Sequence, residues 1–176
     1  MKSTKVAIML GLFLCAAPVL SDKTAGQIID DSTIQAEIKA KLVTNDFFGG
    51  LNINIETRKG VVQLGGFIDD AATSTKAVSV AESVEGVVDV DNQLHVKEGK
   101  ASLGQMVDDR VISTTVKGKL AGADLGTGYK VNVDTYNGVV LLTGFVDTAE
   151  AKSKAGDLAE STDNVKKVIN GIHVLE

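Results

Sequence analysis

With 176 residues, the chain is long enough for one ordinary domain or two small ones. Hydrophobic side chains at 44% against 23% charged exclude a disordered chain, and one Cys with two His excludes a disulfide framework or a zinc site built from Cys and His clusters. The acidic balance, 18 Lys and Arg against 23 Asp and Glu, argues against nucleic acid as a partner, because neutralising phosphates takes clustered cations.

Residues 1–21 are expected to form a signal peptide rather than part of the fold. Lys2 and Lys5 give a positive start, and residues 6–20 follow without a charge. A transmembrane helix needs about 20 apolar residues, so this run is too short to span. Val19 and Ser21 suit cleavage before Asp22, with cleavage after Ala17 as an alternative. Leu14 stands where a lipoprotein signal has a small residue, which argues against acylation of Cys15. Without Lys2 and Lys5 the exported chain carries 16 basic against 23 acidic side chains, a net charge of −7. The expected location is the periplasm.

The remainder is one unit written twice. Shifted by 78 positions, residues 26–98 align with residues 104–176 without a gap, and 31 of the 73 positions are identical. Each copy is read as a small domain, joined by a short linker at 99–103. A first helix is predicted from Ile34, Ile38 and Leu42, repeated as Ile112, Val116 and Leu120. An alternating strand follows, with Leu51, Ile53 and Ile55 on one side, and Tyr129, Val131 and Val133 in the second copy. Gly60 and Gly138 supply hairpin turns, the second as an Asn-Gly pair.

A central strand is predicted at 61–68 and 139–146, apolar on both faces in the second copy. Asp69 and Asp147 stand where helix N-caps are expected, Asp147 with Glu150 as a capping box. The second helix has a small-residue face of Ala77 and Ala81, or Ala155 and Ala159, suited to close packing on a sheet. A last strand puts Val88, Val90, Leu94 and Val96 on one side. The fold class is therefore α+β: two tandem α-β-β-α-β units, each with two helices on one face of a three-stranded mixed sheet.

The segment GVVQLGGFID at 60–69 returns as GVVLLTGFVD at 138–147, followed at equal distance by NQLHV at 92–96 and NGIHV at 170–174. This pattern resembles the BON domain, the module named for bacterial osmotically inducible and nodulation proteins, and the likeness covers nearly all of the exported chain. An export signal before two such domains resembles the periplasmic, osmotically inducible members of that family. The resemblance implies a non-enzymatic module that binds phospholipid or attaches to membrane surfaces in the stressed envelope. It also implies that the first helix of the second domain engages anionic lipid, which here is 109–120 with the loop to Lys130.

Other residue patterns have plain readings. Gly60, Gly66, Gly138 and Gly144 follow no strand-to-helix dinucleotide pattern and are read as turn and close-packing residues rather than a phosphate cradle. His95 and His173 take equivalent outward positions in different domains and are read as solvated, not as a shared metal site. Asp30-Asp31 and Asp108-Asp109 are read as favouring a helix N-terminus rather than as paired catalytic carboxylates. No catalytic set, cofactor site or metal site is predicted.

Charge separates the two domains. Residues 26–98 hold 6 basic and 12 acidic side chains, and residues 104–176 hold 8 and 10. Arg110, Lys117, Lys119 and Lys130, with Tyr129 as an amphipathic aromatic, form the candidate patch for an anionic phospholipid or membrane surface. The same residues also suit a plain solvated helix face, and Tyr129 has the parity of a core residue. Val139, Leu141 and Phe145 point away from the helices, as do Val61, Gln63 and Phe67. That apolar sheet face needs a cover: either packing between the domains, or a groove for unfolded secreted or outer-membrane proteins, which makes a chaperone-like binder the alternative function.

Overall fold

The computed structural model describes residues 30–44, 52–126 and 130–175. The predicted signal segment with Cys15, and also Leu51 and Tyr129, lie outside these residues. The first half runs α1 (Asp31–Val43), β1 (Asn54–Arg58), β2 (Val61–Ile68), α2 (Ala71–Glu82) and β3 (Asp89–Val96). The second runs α3 (Leu103–Ala121), β4 (Lys130–Tyr136), β5 (Val139–Val146), α4 (Ala149–Glu160), β6 (Lys167–Asn170) and β7 (His173–Val174). β2 and β5 are the central strands, each antiparallel to the strand before it and parallel to the strand or strands after α2 or α4. The α+β mixed-sheet architecture read from the duplicated pattern is the one observed.

Each half has its own core. Ile34, Ile38 and Leu42 of α1 meet Val62 and Leu64 of β2 and Ala77 and Ala81 of α2. Ile112, Val116 and Leu120 of α3 repeat the arrangement with Val140, Leu142, Ala155 and Ala159. The small residues on α2 and α4 permit close approach to the sheet: a Cβ on buried Gly156 would lie 2.8 Å from the Asn170 amide nitrogen. Val90 and Leu94 pack against the core, but Val88 and Val96 are exposed. Val88 precedes β3 and instead lies over the β1–β2 turn, where its backbone N–H donates to the Gly60 carbonyl.

The hairpin turns follow from backbone preference and one carboxylate each. Lys59 and Gly60, then Asn137 and Gly138, all take positive φ, which is the type I′ geometry that matches strand twist. Asp109 Oδ2 and Oδ1 accept the backbone N–H groups of Asn137 and Gly138, each at 2.8 Å. Asp31 does the same for Lys59 and Gly60, also at 2.8 Å. The second Asp of each pair is therefore a clamp between the first helix and the hairpin. In the second half this corrects the helix-terminus reading, because α3 starts at Leu103 and places Asp109 inside the helix. Asp109→Ala should cost about 2 kcal/mol in a denaturation measurement, since two turn N–H groups lose their acceptor. An unchanged melting temperature would refute the clamp.

The helix caps sit one residue later than expected. Asp70 caps α2 and Thr148 caps α4, each in extended conformation and accepting from the N–H three residues on. Asp69 and Asp147 fall in the bend between strand and helix, and Asp69 pairs with Lys97 at 2.8 Å instead. Among the described residues a capping box forms at Ser102 with Gln105, opening α3. The last strand of the second half is interrupted at Gly171, whose carbonyl accepts from the Gln63 side chain of the first half at 2.8 Å. That bond turns the carbonyl out of the ladder and divides β6 from β7.

Candidate functional site

The side chains of the sheets that point away from the helices bring the two halves together. Gln63 is 1% exposed, and Leu141 and Phe145 are buried although neither belongs to the core beneath α3 and α4. The contact repeats itself about an approximate two-fold axis. Asn54 donates to Asp134, and its counterpart Asn132 donates to Glu56 at 3.0 Å, the same contact displaced by 78 positions. Near the axis, Gly65 faces its own counterpart: a Cβ there would lie 2.6 Å from Thr143 Cγ2. Gln63 breaks the symmetry, with Leu141 as its mate. Its amide donates to Asp91 at 2.7 Å and to the Gly171 carbonyl, and its oxygen accepts from the Gly144 N–H.

Of the two covers considered for Val139, Leu141 and Phe145, the structure shows packing between the halves. Leu141 and Phe145 are closed off there, and Val139 is half-buried at the edge of the contact. Lys130 belongs to the same side. Its ammonium lies 2.8 Å from Glu56 of the first half, on the face of β4 opposite α3.

Asp134 is the electrostatically costly member of this interface. Burial pushes its carboxyl above the ordinary carboxylate range, against the pull of the Lys117 ammonium and the Asn54 amide. Between its unfolded and its folded pKa the carboxyl is protonated more in the folded chain than in the unfolded one, so this group loses stability as pH rises through its folded pKa. Asp134→Asn keeps an acceptor for Asn54 and has no charge to desolvate. It should be more stable than the native chain at pH 7, the difference closing below about pH 4, where Asp134 is protonated in the folded and the unfolded native chain alike. Melting curves across that range check it, and a variant less stable at neutral pH would contradict the assignment.

The basic patch divides on inspection. Arg110 and Lys117 are both exposed on the outer face of α3, seven residues and so about two turns apart. Lys119 points to the other flank, where its ammonium donates to the Ser161 carbonyl at 2.9 Å and hydroxyl at 3.1 Å, closing the C-terminus of α4. Lys130 is engaged across the interface, and Tyr129 lies outside the described residues. Two of the five sequence-selected residues thus share one open face.

That face also carries residues that the sequence reading did not select. Leu103, Met106, Val107 and Val111 are 84%, 51%, 61% and 60% exposed. Their spacing of i, i+3, i+4 and i+8 places them on one side of α3 around Arg110, opposite buried Ile112, Val116 and Leu120. The signal was present as a helical period. It was obscured because residues 99–103 read as linker, whereas α3 has 19 residues and already includes Leu103. Among the described residues, no group of His, Cys, Asp or Glu has the arrangement of a metal site, and no helix is long and apolar enough to cross a membrane.

Comparison with known proteins agrees with the duplicated architecture. The BON domain model matches residues 30–98 and again 108–176. Osmotically-inducible protein Y of Escherichia coli K12 is 37% identical over 148 residues, 84% of this chain and 74% of that protein. Outer membrane lipoprotein DolP of Haemophilus influenzae is 31% identical over 97% of this chain and 89% of its own length. A 21 kDa hemolysin of Actinobacillus pleuropneumoniae is 29% identical over 88% of this chain and 79% of that protein. With two family matches over the two structural halves, and relatives similar along most of its length, the chain belongs to the BON domain family as a tandem pair.

Proposed function

We propose that this protein is a non-enzymatic, exported envelope protein of the osmotic-stress type, which lies reversibly on phospholipid surfaces through the outer face of α3. The observation that carries this reading is the exposed row of Leu103, Met106, Val107 and Val111 with Arg110 among them and Lys117 on the same face. Seating apolar side chains at an acyl boundary gains about 25 cal/mol per Å² removed from water. Each basic residue near an anionic headgroup adds about 1 kcal/mol, fading over a Debye length. The acidic balance of the chain opposes approach to an anionic surface, which favours a weak and salt-sensitive attachment. Kinship with an osmotically inducible protein and with an outer membrane lipoprotein supports the envelope setting, with the periplasm as its compartment.

Flotation of the chain without residues 1–21 tests it, with phosphatidylglycerol vesicles against phosphatidylcholine vesicles at low and moderate salt. Binding should favour the anionic vesicles and weaken with salt. Val107→Glu with Arg110→Glu should abolish it, and both positions are exposed, so the fold is preserved. Lys117 and Lys119 are poorer choices, because one acts on Asp134 and the other closes α4. A double variant that floats like the native chain would overturn the proposal.

A further inference from the structure

A cavity of about 300 Å³ lies between the two domains, remote in function from the lipid face, lined by Phe67, His95 and Glu98 of the first and Tyr136, Val139 and Lys167 of the second. Polar and apolar groups share its walls, and the aromatic part is formed by the Phe67 and Tyr136 rings, 5.8 Å apart between centroids. Val96, Asn137 and Ile169 complete the lining.

The internal duplication supplies a control for this cavity. Displacing each residue by 78 positions takes His95 to His173, Phe67 to Phe145, Lys167 to Asp89 and Ile169 to Asp91. At the mate position the imidazole is satisfied from the opposite domain, with His173 Nδ1 3.4 Å from Asp91 Oδ2 and the Phe145 ring 5.4 Å away. At the cavity the two carboxylates are replaced by a cation and an isoleucine. His95 Nε2 is shielded from solvent with no hydrogen-bond partner among the described residues. Lys167 is exposed and makes no ion pair among the described residues. The neighbouring charges do not substitute for the missing acid. Glu98 is exposed at the rim, and Lys97, 5.9 Å from the Tyr136 ring, is already neutralised by Asp69.

We propose that this cavity binds a small monocarboxylate with an apolar body, its carboxylate against His95 and Lys167 and its body between Phe67, Tyr136 and Val139. The ligand's carboxylate places a negative charge beside the His95 ring, as Asp91 does beside His173 Nδ1. In the free protein, burial and then the Lys167 charge hold the His95 imidazole below its ordinary pKa. A bound carboxylate offsets the Lys167 charge and favours the imidazolium, so binding takes up a proton and strengthens as pH falls from about 8 to 6.

Benzoate is the probe, with neutral benzamide as its isostere, followed by NMR of the His95 imidazole and the Phe67 and Tyr136 rings. Benzoate is expected to shift all three, to raise the His95 pKa, and to bind more tightly at the lower pH; benzamide is not. Lys167→Ala, at an exposed position, should weaken benzoate roughly tenfold, as loss of one charge-assisted hydrogen bond does. Ile169→Asp restores the mate's carboxylate, and should raise the His95 pKa without ligand and exclude benzoate. Absence of benzoate shifts, equal binding of benzamide, or native affinity in the Lys167 variant would each overturn the proposal. None of these readouts involves a membrane, so they stand apart from the flotation result.

Discussion

Replacing Gly144 by Ala is expected to lower the free energy of unfolding by about 4 kcal/mol, the largest effect of a Gly-to-Ala change among the described residues. Gly144 has φ +123°, a conformation that L side chains rarely adopt, and a Cβ built there would stand 1.8 Å from the Lys130 carbonyl oxygen. The obstacle is the backbone of the paired strand and cannot rotate aside. Relief requires moving β4, which carries Lys130, Asn132 and Asp134 into the domain interface, and the Gly144 N–H is itself bonded to Gln63. Gly66, the counterpart, has φ +140°, and its Cβ would meet the Asn52 carbonyl oxygen at 2.6 Å. The same substitution there should cost less. Chemical denaturation of both variants decides the matter, and a Gly144 variant as stable as the Gly66 variant would contradict the order.

Gln63→Leu should be the next most damaging change, although leucine is what the second domain has at the equivalent position. The native side chain spans the interface with three partners: Asp91, the Gly171 carbonyl and the Gly144 N–H. Leucine fills the space but leaves two backbone groups of the second domain without their partner in a buried setting. At roughly 1–3 kcal/mol for each buried group left unsatisfied, a loss of about 3 kcal/mol is expected. Amide exchange at Gly144 should accelerate more than exchange in β1, which separates loss of this bond from general loosening. If the variant is as stable as the native chain, apolar contact between Leu141, Phe145 and the first domain suffices to hold the pair.

The candidate site was only partly legible for a definable reason. Charge is a local property, so Arg110 and Lys117 were visible as cations on a helix. Whether a cation is free is not local: Lys119 is spent on Ser161 and Lys130 on Glu56, 74 positions earlier in the chain. The apolar row at 103–111 has a helical period, but period alone does not say which side is covered. Only the packing of Ile112, Val116 and Leu120 beneath α3 shows that Leu103, Met106, Val107 and Val111 face outward.

The sequence by itself determined the unit: its element order, its doubling, the turn residues, the helix faces that bury and the alternation that makes each strand two-sided. These depend on neighbours within a few positions, and the second copy repeats them. Tertiary structure decided everything that involves contact between the copies. It showed Val139, Leu141 and Phe145 as part of a seam, it moved the caps by one residue, and it split the last strand at Gly171 where Gln63 draws the carbonyl away. It also made two equivalent histidines different, one beside Asp91 and one beside Lys167. Near-identical local sequences cannot encode that difference, because it resides in what each strand meets across an approximate two-fold axis.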